Sequence, residues 1–398
     1  MIKNIIHIKN LYVALLALFF YATYLITVEY KKYILKENLI KKVNSSLKYA
    51  NVFIGICQKG GLIRGILKSF SKPKITALIT VYNSQQYIKV AIRSVQNQNM
   101  AEIEILIVDD YSTDKTLDII EKLQMQDDRI RVIKNKKNRG VLYSRSIGIL
   151  KAKGKFIMFL DSDDLFVNPN IFQICLKQAL TNDIDIIEFS GFESDFNLFK
   201  LNNTIPKTPL YLRYKKYNET IRQPQLSQYL YRKLGNYNYK LIDGFLWGKC
   251  IKSKVIRDAL KIIGPKIYKM KLNYGEDRLI NFVLFKVAKS FKFIKEIGYI
   301  YNKNNNSNSI THLNLTYNNC HDELVNIFFM FNFTKNTYES ELAVFEIFHR
   351  FEKRINPGMN YANLKYLKNM INQMLKSQFI SNYNKVRLIN LANNLTIV

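Results

Sequence analysis

The sequence predicts an α/β fold on a mostly parallel sheet, and two features predict it. From Lys74 onward short β-rich runs alternate with stretches of helical spacing, the pattern of strands joined by crossover helices. Four such strand-helix units fit into about 110 residues, and the carboxyl ends of the strands, where open sheets bind ligands, carry Tyr82-Asn83, Asp109-Asp110 and Asp161-Ser162-Asp163-Asp164. The strands fall at 75–83, 103–110, 129–135, 154–163 and 183–190, and the helices at 86–98, 113–126, 141–152 and 169–180. Together they make a Rossmann-like half.

Beyond residue 191 the pattern loosens into a polar, aromatic stretch to about 240. Order returns at DGFLWGK (243–249) and again at YGEDR (274–278), which leads into an apolar helix at 279–288. A strand at 291–301 runs into an Asn-rich loop at 302–309, and helical spacing recurs at 323–331, 339–354 and 364–379 without any motif. The expected organisation is a tail (1–10), a transmembrane signal anchor (11–28), a basic stem (29–73), a main α/β domain (74–310, with halves 74–190 and 191–310) and a mainly helical C-terminal extension (311–398).

The chain has 398 residues, 48% of them hydrophobic, with 15 Gly and 7 Pro, which excludes a disordered or collagen-like polypeptide. Lys and Arg exceed Asp and Glu by 60 to 31, a formal charge of +29 that attracts anions without choosing among nucleic acid, lipid and phosphorylated small molecules. Part of that excess follows from a composition rich in Lys, Asn, Ile and Tyr, as an AT-rich genome produces. Cys57, Cys175, Cys250 and Cys320 lie far apart, with no spacing for a disulfide scaffold or a zinc site, and read as small buried hydrophobes.

Residues 11–28 contain no charge and, as a helix, would reach ~27 Å against a hydrocarbon core of ~30 Å. Lys3 and Lys9 precede the segment, Lys31 and Lys32 follow it, and no small-x-small cleavage site comes after it, so a single-pass anchor is expected rather than a removed signal peptide. The lysines beyond it favour a cytosolic catalytic domain. Sequons at Asn44, Asn202, Asn218, Asn305, Asn314, Asn332 and Asn394 would suit a lumenal one, in the secretory pathway (ER or Golgi) of a eukaryotic host, and in a chain this rich in Asn they do not decide the side.

The chemistry concentrates at FLDSDDLF. An apolar run that ends in Asp161, Asp163 and Asp164 sets like charges together, and oxygen donors at that density suit Mg2+ or Mn2+. A solvated Asp-rich turn would give the same string, but a second acidic strand end, VDDYSTD, lies on the neighbouring strand.

LITVYNSQQYIKVAIRSVQNQ, IEILIVDDYSTDKT and NRGVLYSRSIGILKAKGKFIMFLDSDD, in that order and spacing, resemble the family 2 glycosyltransferases with the GT-A fold, closely over 74–190 and loosely to 309. The resemblance implies an inverting transferase that uses a nucleotide-sugar donor. It places the base against Thr80, Tyr82 and Asp110, with Tyr82 stacking and Asp110 accepting an imide N–H, which favours a UDP-sugar. It further implies Asp161 near the ribose, Asp163 on a Mn2+ or Mg2+ bridging the diphosphate, with Asp161 as the metal's other carboxylate, and Asp164 behind them. Arg145 would face the nucleotide or phosphates, although the family's Asn after it is Ser146 here. Positive charge held by carboxylates answers the charge that develops on the leaving diphosphate, and a further carboxylate must take the acceptor proton. Asp277, in GEDR about 115 residues beyond the metal motif, matches the family's acidic pair with Glu276. Trp247 resembles the aromatic of a Trp-x-Lys segment and is a candidate sugar platform, with a core Trp as the alternative. His312 is a weak candidate metal ligand.

The expected partners are the donor, a glycan, protein or lipid acceptor, and a membrane through the N-terminal helix. A same-fold binding protein without catalysis is the alternative. A nucleic-acid binder would need a recognised module or a basic stripe with interleaved aromatics, and a nucleotidyltransferase would need a Gly-rich loop where VYNSQ stands; the sequence has neither.

Overall fold

The computed structural model describes residues 72–194, 220–222, 232–234, 237–239, 245–302, 317–335, 361–378 and 380–394. The expected anchor at 11–28, the stem to residue 71, the helix at 339–354 and His312 lie outside the described residues. Among the described residues no helix is long and apolar enough to cross a membrane.

In chain order the elements are β1 (Ile75–Val81), α1 (Ile88–Gln96), β2 (Ile103–Asp109), α2 (Thr116–Gln124), β3 (Ile130–Lys134), α3 (Val141–Lys151), β4 (Phe156–Asp161), β5 (Leu165–Phe166), α4 (Ile171–Thr181), β6 (Ile186–Ser194), β7 (Thr220–Arg222), β8 (Arg232–Leu234), β9 (Tyr237–Tyr239), β10 (Lys249–Lys252), α5 (Ser253–Ile263), α6 (Pro265–Tyr268), α7 (Glu276–Val287), β11 (Ser290–Asn302), α8 (Tyr317–Thr334), α9 (Tyr361–Leu375) and α10 (Asn382–Asn394). Among the described residues a 9-stranded sheet runs β3-β2-β1-β4-β10-β6-β11-β5, with β7 on β11, while β8 and β9 pair separately.

Side-chain alternation on the strands builds two cores. On β1, Ile75, Ala77, Ile79 and Val81 point to the face covered by α1, α2 and α4, while Leu78 points to the face covered by α3, α5 and α7. α1 buries Ile88, Ala91, Ile92 and Val95, one stripe at helical period; full burial of an Ile or Val of this kind stabilises by ~1.5–3 kcal/mol. The motif-free C-terminal segment supplies α8, α9 and α10, whose Leu324, Leu367, Ile371 and Leu388 share the core of α5 and α7.

The first four strands are parallel, as the alternating pattern requires. β10 departs from that pattern: it enters antiparallel between β4 and β6, with Cys250 opposite Met158 and Lys249 opposite Glu188. With only KCIK in the strand, its period is too short to read from sequence. Strand order reverses at β1, whose neighbours are β2 on one side and β4 on the other, so a crevice opens at the carboxyl ends of these three.

Two local devices hold this half together. Gly154 lies against β1 so closely that a Cβ would stand 2.4 Å from the Thr76 nitrogen and 2.7 Å from the Ile75 carbonyl carbon. Asp127 turns the chain from α2 into β3 by accepting from Arg129 Nε at 2.9 Å, Arg129 Nη2 at 2.7 Å and Gln96 Nε2 at 3.0 Å. Burial raises its carboxyl, but the guanidinium outweighs burial and holds it down at about 2.

Gly154→Ala should cost ~1–3 kcal/mol in denaturant titration, because backbone rather than a movable side chain blocks the added methyl. Asp127→Asn should destabilise the fold at neutral pH by ~1–3 kcal/mol. A depressed carboxylate contributes above its unfolded value of ~4 and loses that contribution as pH falls further. The gap between wild type and Asp127→Asn should therefore close between about pH 4 and about pH 2 in paired thermal melts.

Candidate functional site

The crevice is laced together by the loops that follow its strands. Thr80 sits opposite Asp161 across β1 and β4, and the Asp110 amide donates to the Val81 carbonyl at 2.8 Å. Asn83, held at φ +49°, receives the Thr113 amide on its Oδ1 at 2.8 Å. The hydroxyls of Ser84 and Ser162 meet at 2.8 Å, tying the loop after β1 to the aspartate loop after β4.

In the loops after β1 and β2, Tyr82 is 48% exposed and Tyr111, held at φ +71° beside Asp110, is 51% exposed. Of the two only Tyr111 sits on left-handed backbone, and it was not singled out by sequence although it stands inside VDDYSTD. Asp110 is buried and already engaged: Oδ1 accepts Asn135 Nδ2 at 2.7 Å and the Arg139 amide at 2.8 Å, and Oδ2 accepts the Gly140 amide at 2.7 Å. Its carboxylate thus ties the end of β2 to the entry of α3, with about one of roughly four acceptor positions left over.

The aspartate loop divides its labour. Asp164 is buried and fixed to β11, accepting the Tyr299 hydroxyl at 2.7 Å and the Asn302 amide at 2.8 Å. Asp163 is pushed up to about 7, by burial first and by repulsion from Asp161 second. Burial likewise raises Asp161, against the pull of Arg145. Among the described residues no group of three or more His, Cys, Asp or Glu is arranged to hold a metal ion. Asp161 and Asp163 nonetheless supply oxygen donors of the kind that suit a hard divalent cation.

Arg145 is the centre of the site. From the second turn of α3 its Nη2 contacts Asp161 at 2.6 Å, while Nη1 reaches both Glu276 and Asp277 in the first turn of α7. Burial would lower this guanidinium's pKa, but the three carboxylates hold it firmly protonated. The sequence expectation for Arg145 is that it faces the nucleotide or phosphates; in the structure its guanidinium bridges three of the protein's own carboxylates. Glu276 is buried and pushed well up, by burial and then by Asp277. Asp277 has more solvent access, 18% against 8% for the Glu276 side chain, and receives the Leu246 amide at 3.4 Å.

Trp247 is 8% exposed, its ring stacked between Phe245 at 5.1 Å and Tyr299 at 5.0 Å. Trp247 is thus a buried ring, as in the core alternative, and the more exposed ring stacked on it is Phe245, 40% exposed. Lys249 holds this segment from below: its buried Nζ donates to the Phe245 carbonyl at 2.6 Å and pairs with Glu188 at 3.2 Å. The Trp-x-Lys string had pointed to the Lys but gave no sign that its partner is a carbonyl.

With this geometry in hand, comparison with known proteins is informative. The family described as glycosyl transferase family 2 matches residues 76–237. The uncharacterized glycosyltransferase EpsJ of Bacillus subtilis (strain 168) is 27% identical over 235 residues, 59% of this chain and 62% of EpsJ. Glycosyltransferase GlyG of Streptococcus pneumoniae serotype 4 is 32% identical over 128 residues, 31% of this chain and 42% of GlyG. The chain thus spans about three fifths or less of the length of these curated relatives. Among solved structures, S. aureus TarS 1-349 in complex with UDP-GlcNAc superposes with a TM-score of 0.60 at 16% identity, covering 81% of this chain and 90% of that one, which shows a shared fold.

Arg145→Met should cost ~3–5 kcal/mol in equilibrium unfolding, since it leaves three carboxylates facing one another without a cation. Adding Glu276→Gln should recover part of that loss.

Proposed function

From a chain whose residues 76–237 are a family 2 glycosyltransferase domain, we propose a metal-dependent inverting glycosyltransferase that moves a sugar from a UDP-sugar to a hydroxyl of a glycan, protein or lipid. The observation that supports it most is the Arg145 bridge, which brings the acidic pair at the start of α7 to the aspartate strand end of β4, so that donor and acceptor chemistry share one crevice.

In this reading the uracil lies against Tyr82, with Thr80 beside it and the remaining acceptor position of Asp110 for its imide N–H. Tyr111, equally exposed, gives a second aromatic surface at the same end. TarS, which shares the fold, was solved with UDP-GlcNAc, and that supports a uridine donor. Asp163 and Asp161 would hold Mn2+ or Mg2+, which when bound supplies positive charge against the diphosphate. Burial and repulsion from Asp161 raise Asp163, and a bound cation would oppose both.

Asp277 is the general base. It takes the proton from the acceptor hydroxyl as that oxygen attacks the anomeric carbon; the bond from this carbon to the diphosphate oxygen breaks, the electron pair leaves with UDP, and the configuration inverts. Glu276 is the weaker candidate, because it is more buried and biased toward its protonated form, whereas Asp277 meets solvent and is oriented by the Leu246 amide. Arg145 keeps the two carboxylates apart in role without leaving their side. On the acceptor side Phe245, rather than Trp247, offers the exposed ring. We further propose that residues 11–28 anchor the chain in a membrane.

Calorimetric titration of the full chain with UDP, GDP and CMP, each with and without Mn2+, should show manganese-dependent binding of UDP. Asp163→Ala should abolish the metal-dependent part. Asp277→Asn should keep UDP binding and lose ~10²–10⁴ in turnover, the usual contribution of a positioned base. Full turnover in Asp277→Asn would remove its assignment.

A further inference from the structure

The C-terminal segment carries no motif, yet α8 meets the chain at the acidic pair. Asp322, 4% exposed, accepts both the Asn273 amide at 2.7 Å and the Tyr274 amide at 3.2 Å on a single oxygen, Oδ2. One turn later on the same helix Asn326 donates from Nδ2 to the Tyr274 carbonyl at 3.0 Å. Between them Glu323 pairs with Arg278 from α7. Residues 322, 323 and 326 therefore grip positions 273, 274 and 278, which bracket Glu276 and Asp277 on both sides.

The backbone they grip needs holding. Gly275 adopts φ +74°, ψ 4°, the left-handed conformation, and it caps α7 without any side-chain hydrogen bond to the helix end. A Cβ there would meet Arg278 Nη2 at 2.6 Å, Asn326 Nδ2 at 3.0 Å and Glu323 Oε2 at 3.1 Å, so the α8 side chains close directly over the turn. The same loop reaches the other half of the site: the Leu272 carbonyl receives the Leu142 amide at 3.1 Å and Asn273 Oδ1 receives the Val141 amide at 3.3 Å. Those are the first residues of α3, the helix that carries Arg145. The loop thus sets the register between the guanidinium and the carboxylates it bridges, and α8 sets the loop.

We propose that α8 is the positioning element of the acidic pair and that Asp322 is its positioning residue, fixing the 273–275 turn so that Asp277 meets the acceptor hydroxyl while Arg145 stays seated. Asp322 touches neither donor nor acceptor; it acts through backbone. The proposal rests on Asp277 being the base, and its test separates the two ideas.

The full chain would be compared as wild type, Asp322→Ala and Asp322→Asn. An Asn at 322 keeps one side-chain carbonyl oxygen able to accept both amides, so it should act as the conservative rescue. Hydrogen exchange followed by mass spectrometry reads the loop without reference to activity. Asp322→Ala should speed exchange of peptides covering 270–280 and leave those covering β1 and β2 unchanged. Turnover is read as UDP released from UDP-GlcNAc with Mn2+ in water, per folded molecule. There Asp322→Ala should lower kcat by ~10- to 100-fold, the scale for a displacement of about 1 Å, with KM for UDP-GlcNAc within about threefold and activity restored in Asp322→Asn.

Unchanged exchange across 270–280 in Asp322→Ala would overturn the proposal. So would a loss in which KM rises as much as kcat falls, or one that Asp322→Asn does not repair. If wild type releases no UDP from UDP-GlcNAc, the donor reading fails by itself, and selective loosening of 270–280 still supports the positioning role of Asp322.

Discussion

Arg145 is the constraint on which the rest of the site depends. Three carboxylates, from β4 and from the first turn of α7, converge on one guanidinium that water barely reaches. Without that cation their mutual repulsion in a poorly hydrated crevice would push the strand end and the helix apart, because like charges at this range cost several kcal/mol once solvent is excluded. α3 must therefore be placed so that its second turn reaches both. The close packing of Gly148 against Leu78 and the three bonds from Asp110 to Asn135 and the Arg139 and Gly140 amides fix α3 from two directions. Asp110 serves the architecture before it serves any ligand.

The same crowding separates the carboxylates chemically. Glu276, deepest and nearest to another acid, is biased toward holding a proton, and burial lifts Asp163 as well. Asp277 is the one that combines solvent access, a cation and a backbone amide. The asymmetry arises here from depth together with the shared guanidinium and one backbone amide, without a specialised residue for each carboxylate.

What could be read from the sequence was what lies close along the chain. β1, β2 and β4 announce themselves because each is a short apolar run ending in a polar signal, and the DSDD string is local enough to suggest its chemistry unaided. Pairings made over long stretches of chain could not be read. No local pattern shows that two partners of Arg145 stand 131 and 132 residues away. Trp247 reads from sequence as either a platform or a core ring because a sequence does not say that Phe245 and Tyr299 stack on it. β10 was missed because four residues hold too little periodicity, and Asp322 drew no notice because acceptors for backbone amides leave no signature in composition.

The segment at 245–249 shows how far such indirect support extends. Lys249 is buried in the middle of the sheet, where an ammonium is expensive, and it is compensated by Glu188 on β6 and by the Phe245 carbonyl. Apolar residues at 188 and 249 could fill the same volume at no greater cost, so stability alone does not explain the pair. The arrangement does secure the course of residues 245–248: with the Phe245 carbonyl fixed, the Leu246 amide is directed at Asp277, and the Phe245 ring lies over Trp247 with its outer side in water. Asp277 is consequently held by Arg145, by the segment that Lys249 ties down, and by the turn that α8 grips. Each support comes from a different part of the chain, which is why the carboxylate can stay partly exposed and still be held in one place.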